Sequence, residues 1–114
     1  MADSTEAFFA ELAERGHEPL LAKAEGTFRF ELRRGKQTDR WLVTIDKGDV
    51  SVSRTNVAAD ATMRTTRELF DGLASGEVNT MAAALRGAFE FEGDPELLVR
   101  FQRLFPGPPA KGKR

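Results

Sequence analysis

Thr27-Phe28-Arg29-Phe30-Glu31-Leu32-Arg33 alternates without a break. Phe28, Phe30 and Leu32 fall on one side of an extended chain, and Thr27, Arg29, Glu31 and Arg33 fall on the other. A period of two with one apolar face is the pattern of a half-buried β-strand. The next stretches repeat it. Arg40 to Asp46 puts Trp41, Val43 and Ile45 inward, and Asp49 to Arg54 puts Val50 and Val52 inward. Arg34 to Asp39 reads as a polar turn between the first two, and Asp46-Lys47-Gly48-Asp49 as a tight turn between the last two. The three strands form an antiparallel meander with one apolar and one wet face.

Helices flank the meander. Before it, Asp3 and Glu6 stand as a capping box ahead of Phe8, Phe9, Leu12 and Ala13 at helical spacing, and Gly16 ends that helix. His17-Glu18-Pro19 opens a short turn holding Leu20 and Leu21. After it come a loop, Thr55 to Asp60, and a weaker fourth strand, Ala61 to Thr65, with Met63 inward. Thr65 and Glu68 form a second capping box for a helix carrying Leu69, Phe70 and Leu73. Ser75-Gly76 stops it; Asn79 or Thr80 starts another, with Met81, Ala82 and Leu85 at core spacing, and Gly87 stops that. Ala88 to Glu92 is a fifth strand with Phe89 and Phe91 inward. Asp94 as N-cap and Pro95 at the first helical position open a last helix bearing Leu97, Leu98, Phe101, Leu104 and Phe105. Every strand has a single apolar face, so all helices must cover that one face. The expected fold is a two-layer α+β domain, a five-stranded, largely antiparallel twisted sheet with helices on one side. Residues 1–105 are expected to form one domain and 106–114, with three prolines and the basic Lys111, Lys113 and Arg114, a disordered basic tail.

Composition narrows the function. The 114 residues include no cysteine and one histidine, His17, which excludes disulfides, thiolate metal sites, cysteine catalysis and multi-histidine metal sites. The tail carries +3 against a whole-chain net charge of -1, leaving -4 on residues 1–105. A body of that sign does not suit a phosphate backbone, so no nucleic-acid partner is expected. The one internal basic group, Arg33-Arg34-Gly35-Lys36, sits at a turn where charges face water. No apolar run is long enough to span a bilayer. The first residues, Met1 to Glu6, are acidic without an apolar stretch, so no secretory signal and a cytoplasmic setting are expected.

No catalytic constellation stands out. His17 lies at a helix end near Pro19 and reads as a solvated or capping group. The carboxylate pairs Asp46/Asp49, Glu90/Glu92 and Glu92/Asp94 each have an ordinary role at a turn, a wet strand face or a cap. The spacing of Gly72, Gly76, Gly87 and Gly93 matches no phosphate-binding loop. An enzyme is not expected, and no cofactor or metal. Large apolar side chains are abundant instead: nine phenylalanines, at 8, 9, 28, 30, 70, 89, 91, 101 and 105. Periodicity leaves two readings open, a filled core or an apolar cavity between sheet and helices.

The order of the segments carries a resemblance. Glu25 to Phe30, Trp41 to Gly48 followed by Val50-Ser51-Val52, Ala59-Asp60-Ala61-Thr62-Met63, Glu68 to Gly76, Met81 to Gly87 and Phe89 to Asp94 together resemble the sterol carrier protein 2 family over residues 6 to 105. The chain looks like a stand-alone, prokaryotic version. The resemblance implies an elongated apolar tunnel between sheet and helices that holds a fatty acyl chain, acyl-CoA, phospholipid or sterol, with binding and transfer rather than catalysis. By face, the implied lining is Phe30, Trp41, Val43, Met63, Phe70, Leu73, Met81, Leu85, Phe89, Phe101, Leu104 and Phe105. Glu90 and Glu92 stand where the family commonly has basic residues, which speaks against an acyl-CoA phosphate site there, and Lys111-Gly112-Lys113-Arg114 is not a Ser-Lys-Leu type address.

The implied partner is an apolar small molecule. The terminal helix, Pro95 to Phe105, is the expected gate, because chain ends open most cheaply. Two further kinds of partner are weighed. An accessory domain with a filled core would meet a protein through its wet sheet face: Arg29, Glu31, Arg40, Leu42, Thr44 and Arg64. Three tail charges at about 1 kcal/mol each would give at most transient contact with an anionic membrane surface.

Overall fold

A computed structural model describes residues 4–55 and 57–105. Its frame is the expected meander: β1 (Glu25–Arg34), β2 (Gln37–Asp46) and β3 (Asp49–Ser53). β2 pairs antiparallel with β1 from Glu25↔Asp46 to Arg34↔Gln37, and β3 pairs antiparallel with β2. The first hairpin therefore turns on Gly35-Lys36 alone, and the polar turn expected over Arg34 to Asp39 is mostly strand. The polar residues 37–39 mark a ladder end that reaches beyond the core. The second hairpin turns on Lys47 (φ 51°) and Gly48 (φ 95°). Two consecutive left-handed residues give the turn whose twist matches that of the flanking strands.

β4 (Ala61–Thr66) lies parallel to β1, and β5 (Glu90–Gly93) lies antiparallel to β4, giving the sheet order β3-β2-β1-β4-β5. Phe28, Phe30, Leu32, Val43 and Met63 are fully buried on its inner face, with Trp41, Ile45 and Val50 nearly so. That face is covered by α1 (Ser4–Arg15), α2 (Arg67–Ser75), α3 (Thr80–Leu85), α4 (Pro95–Phe101) and two 3-10 turns, Pro19–Leu21 and Gln102–Leu104. α1 packs on α2 and β3; α4 packs on β4 and the first 3-10 turn. No helix among the described residues is long and apolar enough to cross a membrane. Asp3 of the first expected capping box and the tail 106–114 lie outside the described residues.

The caps follow local chemistry. Asn79 and Asp94 accept from the backbone N–H of Ala82 and Glu96. For α2 the cap is Thr66, whose hydroxyl accepts from Leu69 N at 3.1 Å, and not Thr65. Strand alternation turns Thr65 inward, where its hydroxyl donates to the Ala88 carbonyl at 3.1 Å. A second difference concerns α3. Met81 (45% exposed) and Leu85 (89% exposed) point outward, while Thr80 and Ala83 are buried. The helix is six residues long, and its buried side carries the small Thr80 and Ala83.

The outer face of the sheet alternates in charge. Arg40, Glu31, Arg64 and Glu90 lie side by side on β2, β1, β4 and β5. Glu31 reaches Arg29 at 3.2 Å, Arg40 at 3.7 Å and Arg64 at 2.9 Å, and Arg64 also reaches Glu92 at 2.9 Å. Hydrogen bonds from Arg64 to Glu92 and Glu31 raise the pKa of its guanidinium above the ordinary value. Leu42, expected on the wet face, is buried. The connection from β3 to β4 meets this face at Arg29, which is the cross-strand neighbour of Leu42 and whose Nη1 donates to the Val57 carbonyl at 2.9 Å.

Candidate functional site

An aromatic layer fills the space between sheet and helices. Phe28 and Phe30 project from β1 and stack at 4.4 Å. Strand alternation puts both on the inner face, two residues apart. Phe9 on α1 stacks on Trp41 at 4.7 Å and on Phe70 of α2 at 5.4 Å, and meets Phe30 edge-on at 5.2 Å. Phe101 on α4 sits 5.2 Å from both Phe28 and Phe30. Phe8 stacks on Phe105 at 5.1 Å and closes the layer between α1 and the chain's last turn. Five of these rings, Phe9, Phe28, Phe30, Phe70 and Phe101, are among the largest fully buried side chains. Edge-to-face and offset contacts of this kind add about 0.5–1.5 kcal/mol per pair beyond area burial.

Of the twelve candidate lining residues, Phe30, Val43, Met63, Phe70, Leu73 and Phe101 are fully buried, and Trp41 and Phe105 nearly so. Phe89 and Leu104 are partly buried against the same core. Met81 and Leu85 are not brought into this group, because α3 turns them to solvent. Phe8, Phe9 and Phe28 belong to the layer as much as any candidate. Their apolar spacing is visible in the sequence, although the lining implied by face leaves them out.

Rings in contact occupy the interior. Recesses lie at the surface. One of about 360 Å3 runs between α1 and the β2–β3 pair, lined by Glu6, Phe9, Ala10, Ala13, Trp41, Val52, Ser53 and Arg54. Another, of about 310 Å3, is lined by Phe8, Ala74 and Leu104 with polar residues of α1.

Polar groups pin the helices over the aromatic layer. Asp71 on α2 accepts from the backbone N–H of Thr5 at 2.9 Å and from its hydroxyl. The buried Arg67 bonds Asp39 of β2 and reaches Glu6 of α1 at 3.7 Å. Burial alone would push the Asp39 carboxyl up. Hydrogen bonds and charges from Arg34 and Arg67 outweigh that and hold it below its ordinary value. Glu18 is buried between Arg15 and the Leu20 N–H, as cap of the first 3-10 turn. His17 meets Asp49 at 2.8 Å with both side chains exposed. Among the described residues no group of three or more His, Cys, Asp or Glu converges on a possible metal position.

The model of the SCP-2 sterol transfer family matches residues 6–106, nearly the whole chain. The chain belongs to the SCP-2 sterol transfer family. Solved structures share the fold of this family member. The palmitated SCP2L2 of Aedes aegypti is 15% identical over 94% of this chain and 95% of its own, with a TM-score of 0.69. Sterol carrier protein domain 2 of Helicoverpa armigera is 22% identical over 90% of this chain and 85% of its own, with a TM-score of 0.71. The inverting sec-alkylsulfatase Pisa1 of Pseudomonas sp. is 21% identical over 89% of this chain but only 16% of its own, with a TM-score of 0.70. A search of curated proteins found no match.

Proposed function

We propose that this SCP-2 family chain is a non-catalytic carrier that takes up an apolar small molecule between sheet and helices and passes it on. The candidate ligands are a fatty acyl chain, a phospholipid or a sterol-like molecule. The observation that carries the reading is the continuous aromatic layer, made by one sheet face and the helices that cover it, in a chain of a lipid-transfer family. That a relative with this fold has been solved in palmitated form supports it. In this reading a ligand takes the place of ring–ring contacts, and Phe30, Val43, Met63, Phe70, Leu73 and Phe101 become its walls. α4 and the turn after it are the candidate gate. The reading includes no nucleic-acid partner, at most a transient membrane-surface contact, and a cytoplasmic setting.

A second reading is favoured by the close contact of the rings. With its core already filled, the domain serves as an accessory module for a protein partner. That a fold of this kind makes up part of a larger sulfatase chain supports it. Native mass spectrometry of the freshly purified protein, with solvent extraction, separates the two. An added mass released as a lipid is the expected result. A mass that stays that of the bare chain after incubation with fatty acids, acyl-CoA and sterols overturns the carrier reading in favour of the second.

A further inference from the structure

Between the first 3-10 turn and α4 lies a recess of about 380 Å3, lined by Pro19, Leu20, Ala22, Lys23, Arg100 and Arg103. One wall is apolar, and every charge in the lining has the same sign. The 3-10 turn supplies Pro19, Leu20 and Ala22, and backbone bonds hold it in shape: Ala22 N donates to the Pro19 carbonyl at 3.1 Å, and Ala24 N to the Leu21 carbonyl at 2.9 Å. Leu21 is fully buried, so its neighbour Leu20 turns outward and stays 47% exposed. Arg100 and Arg103 form the opposite wall; standing three apart, they share one side of the helical end. Leu97, Leu98 and Phe101 are buried behind them and fix that wall on the core.

Among the described residues no carboxylate lines this recess. Arg100 is matched by Glu96, one helical turn back, at 2.7 Å. Lys23 and Arg103 have no ion-pair partner among the described residues. Two positive charges therefore stand unmatched here, on a body whose residues 1–105 sum to -4. The sign reverses across the ridge made by Lys23 and Arg100. The adjoining recess, about 120 Å3, shares those two side chains and adds Glu25, Asp94 and Glu96. These acids have work of their own: Glu25 reaches Lys47 at 4.0 Å, Asp94 caps α4 and Glu96 holds Arg100.

We propose that this groove docks a short acidic segment of a partner protein, with carboxylates on Lys23 and Arg103 and one apolar side chain against Pro19 and Leu20. Charge and shape select that occupant. A flat anionic surface such as a bilayer would face the negative body over a wide area and be repelled by it. A single extended chain enters the recess and meets only the groove. An apolar anchor inside a charged rim is the ordinary make-up of such a contact. The groove is open whether the aromatic layer admits a ligand or stays filled, so the inference goes beyond both readings of the interior.

The test titrates the end-capped peptide Glu-Glu-Leu-Glu-Glu, and Gln-Gln-Leu-Gln-Gln as its neutral control, into the full chain and follows backbone amide shifts by NMR. The variants are Lys23→Gln, Arg103→Gln and the pair together. Lys36→Gln, in the first hairpin turn at the far end of β1, removes the same charge away from the groove. All three positions are exposed, which spares the fold. The acidic peptide is expected to move the amides of Leu20 to Lys23 and Arg100 to Leu104 saturably, and the neutral one to leave them in place. Lys23→Gln and Arg103→Gln are each expected to weaken the acidic peptide about threefold, and together about tenfold, the scale of exposed ion pairs. Lys36→Gln is expected to leave its affinity unchanged. No saturable shift, an equal response to the neutral peptide, or equal weakening by Lys36→Gln would overturn the proposal. A silent peptide together with binding to phosphatidylglycerol vesicles that Lys23→Gln abolishes would overturn it in favour of a membrane surface. A bare mass in the lipid-extraction test together with a silent groove overturns the groove and not the accessory reading. An extracted lipid together with a saturable groove overturns the accessory reading and not the groove.

Discussion

Truncating Phe30 tests whether the interior is packed or holds ligand space. The side chain is fully buried at the centre of the sheet, with ring partners Phe28 at 4.4 Å, Phe9 and Phe101 at 5.2 Å, and Phe70 at 5.5 Å. Phe30→Ala loses about 1.5–3 kcal/mol of transfer free energy. It also abandons four ring contacts and leaves a void that neighbours on three helices and one strand can only partly close. The total expected loss is about 3–5 kcal/mol, a large share of the roughly 5–15 kcal/mol that stabilises an ordinary domain. With a urea slope of about 1.5 kcal/mol per molar, the unfolding midpoint of the ligand-free protein falls by roughly 2–3 M. Leu85→Ala on the exposed face of α3 is the control, and its cost stays within about 0.5 kcal/mol. Where Phe30→Ala is too unstable to fold, Phe30→Leu takes its place with a loss of about 1–2 kcal/mol. The measurement is equilibrium urea denaturation after delipidation. A loss under about 1.5 kcal/mol for Phe30→Ala would refute the packing argument, because a ring beside open space has fewer contacts to lose.

Two further perturbations test the frame around this layer. Arg34 and Arg67 hold the Asp39 carboxyl below its ordinary value, so its contribution to stability is present above the unfolded pKa of about 4 and is lost as pH falls through the folded value. Asp39→Asn is therefore expected to destabilise at neutral pH and to narrow its gap to wild type in acid, as read from urea midpoints across that range; a gap constant down to about pH 2 would show that Asp39 is not the titrating group. At Gly93 (φ 105°) an added Cβ would stand 2.1 Å from the Asp60 carbonyl oxygen and 2.7 Å from the Ala61 Cα. Gly93→Ala is expected to part β5 from the start of β4 and to lower the melting temperature by about 10 °C or more; an unchanged melt would contradict that close approach.

The sheet was legible because its strands state their faces. Strict alternation from Thr27 to Arg33 and from Arg40 to Asp46 needs no partner to interpret, and the second hairpin followed from Lys47-Gly48, whereas the polar turn read over Arg34 to Asp39 is Gly35-Lys36 alone with the rest paired as strand. Cap residues were legible where one candidate stood alone, as with Asp94 before Pro95. Where two threonines were adjacent, the choice depended on which faced inward, and that is a tertiary fact. α3 failed for a related reason. Six residues span less than two turns, so Met81 and Leu85 set no unique phase, and the sides that close in are Thr80 and Ala83. Leu42 lies on the charged face of the sheet and is nonetheless buried, which strand alternation by itself does not signal. The Arg54–Trp41 contact joins strand ends through space and has no sequence spacing to announce it.

Energetics also constrain how an interior ligand could be accepted. An acyl chain that buries about 300 Å2 of apolar surface gains roughly 7 kcal/mol. Lifting α4 clear of the sheet would expose Leu97, Leu98 and Phe101, at about 1.5–3 kcal/mol each. That cost, about 4.5–9 kcal/mol in all, is comparable with the whole gain before the ligand and the chain are ordered. A helix held open therefore leaves almost no affinity. The carrier reading is consistent only if α4 closes again over the ligand, with rings such as Phe28 and Phe101 moved aside but still buried. Uptake would then wait on transient opening of the terminal helix, and its rate would become independent of ligand concentration once ligand is in excess. A stopped-flow trace of Trp41, which stacks on Phe9 in the aromatic layer, is therefore expected to show a rate that levels off as ligand is raised. A rate that keeps rising with ligand concentration would contradict uptake through transient opening of the terminal helix.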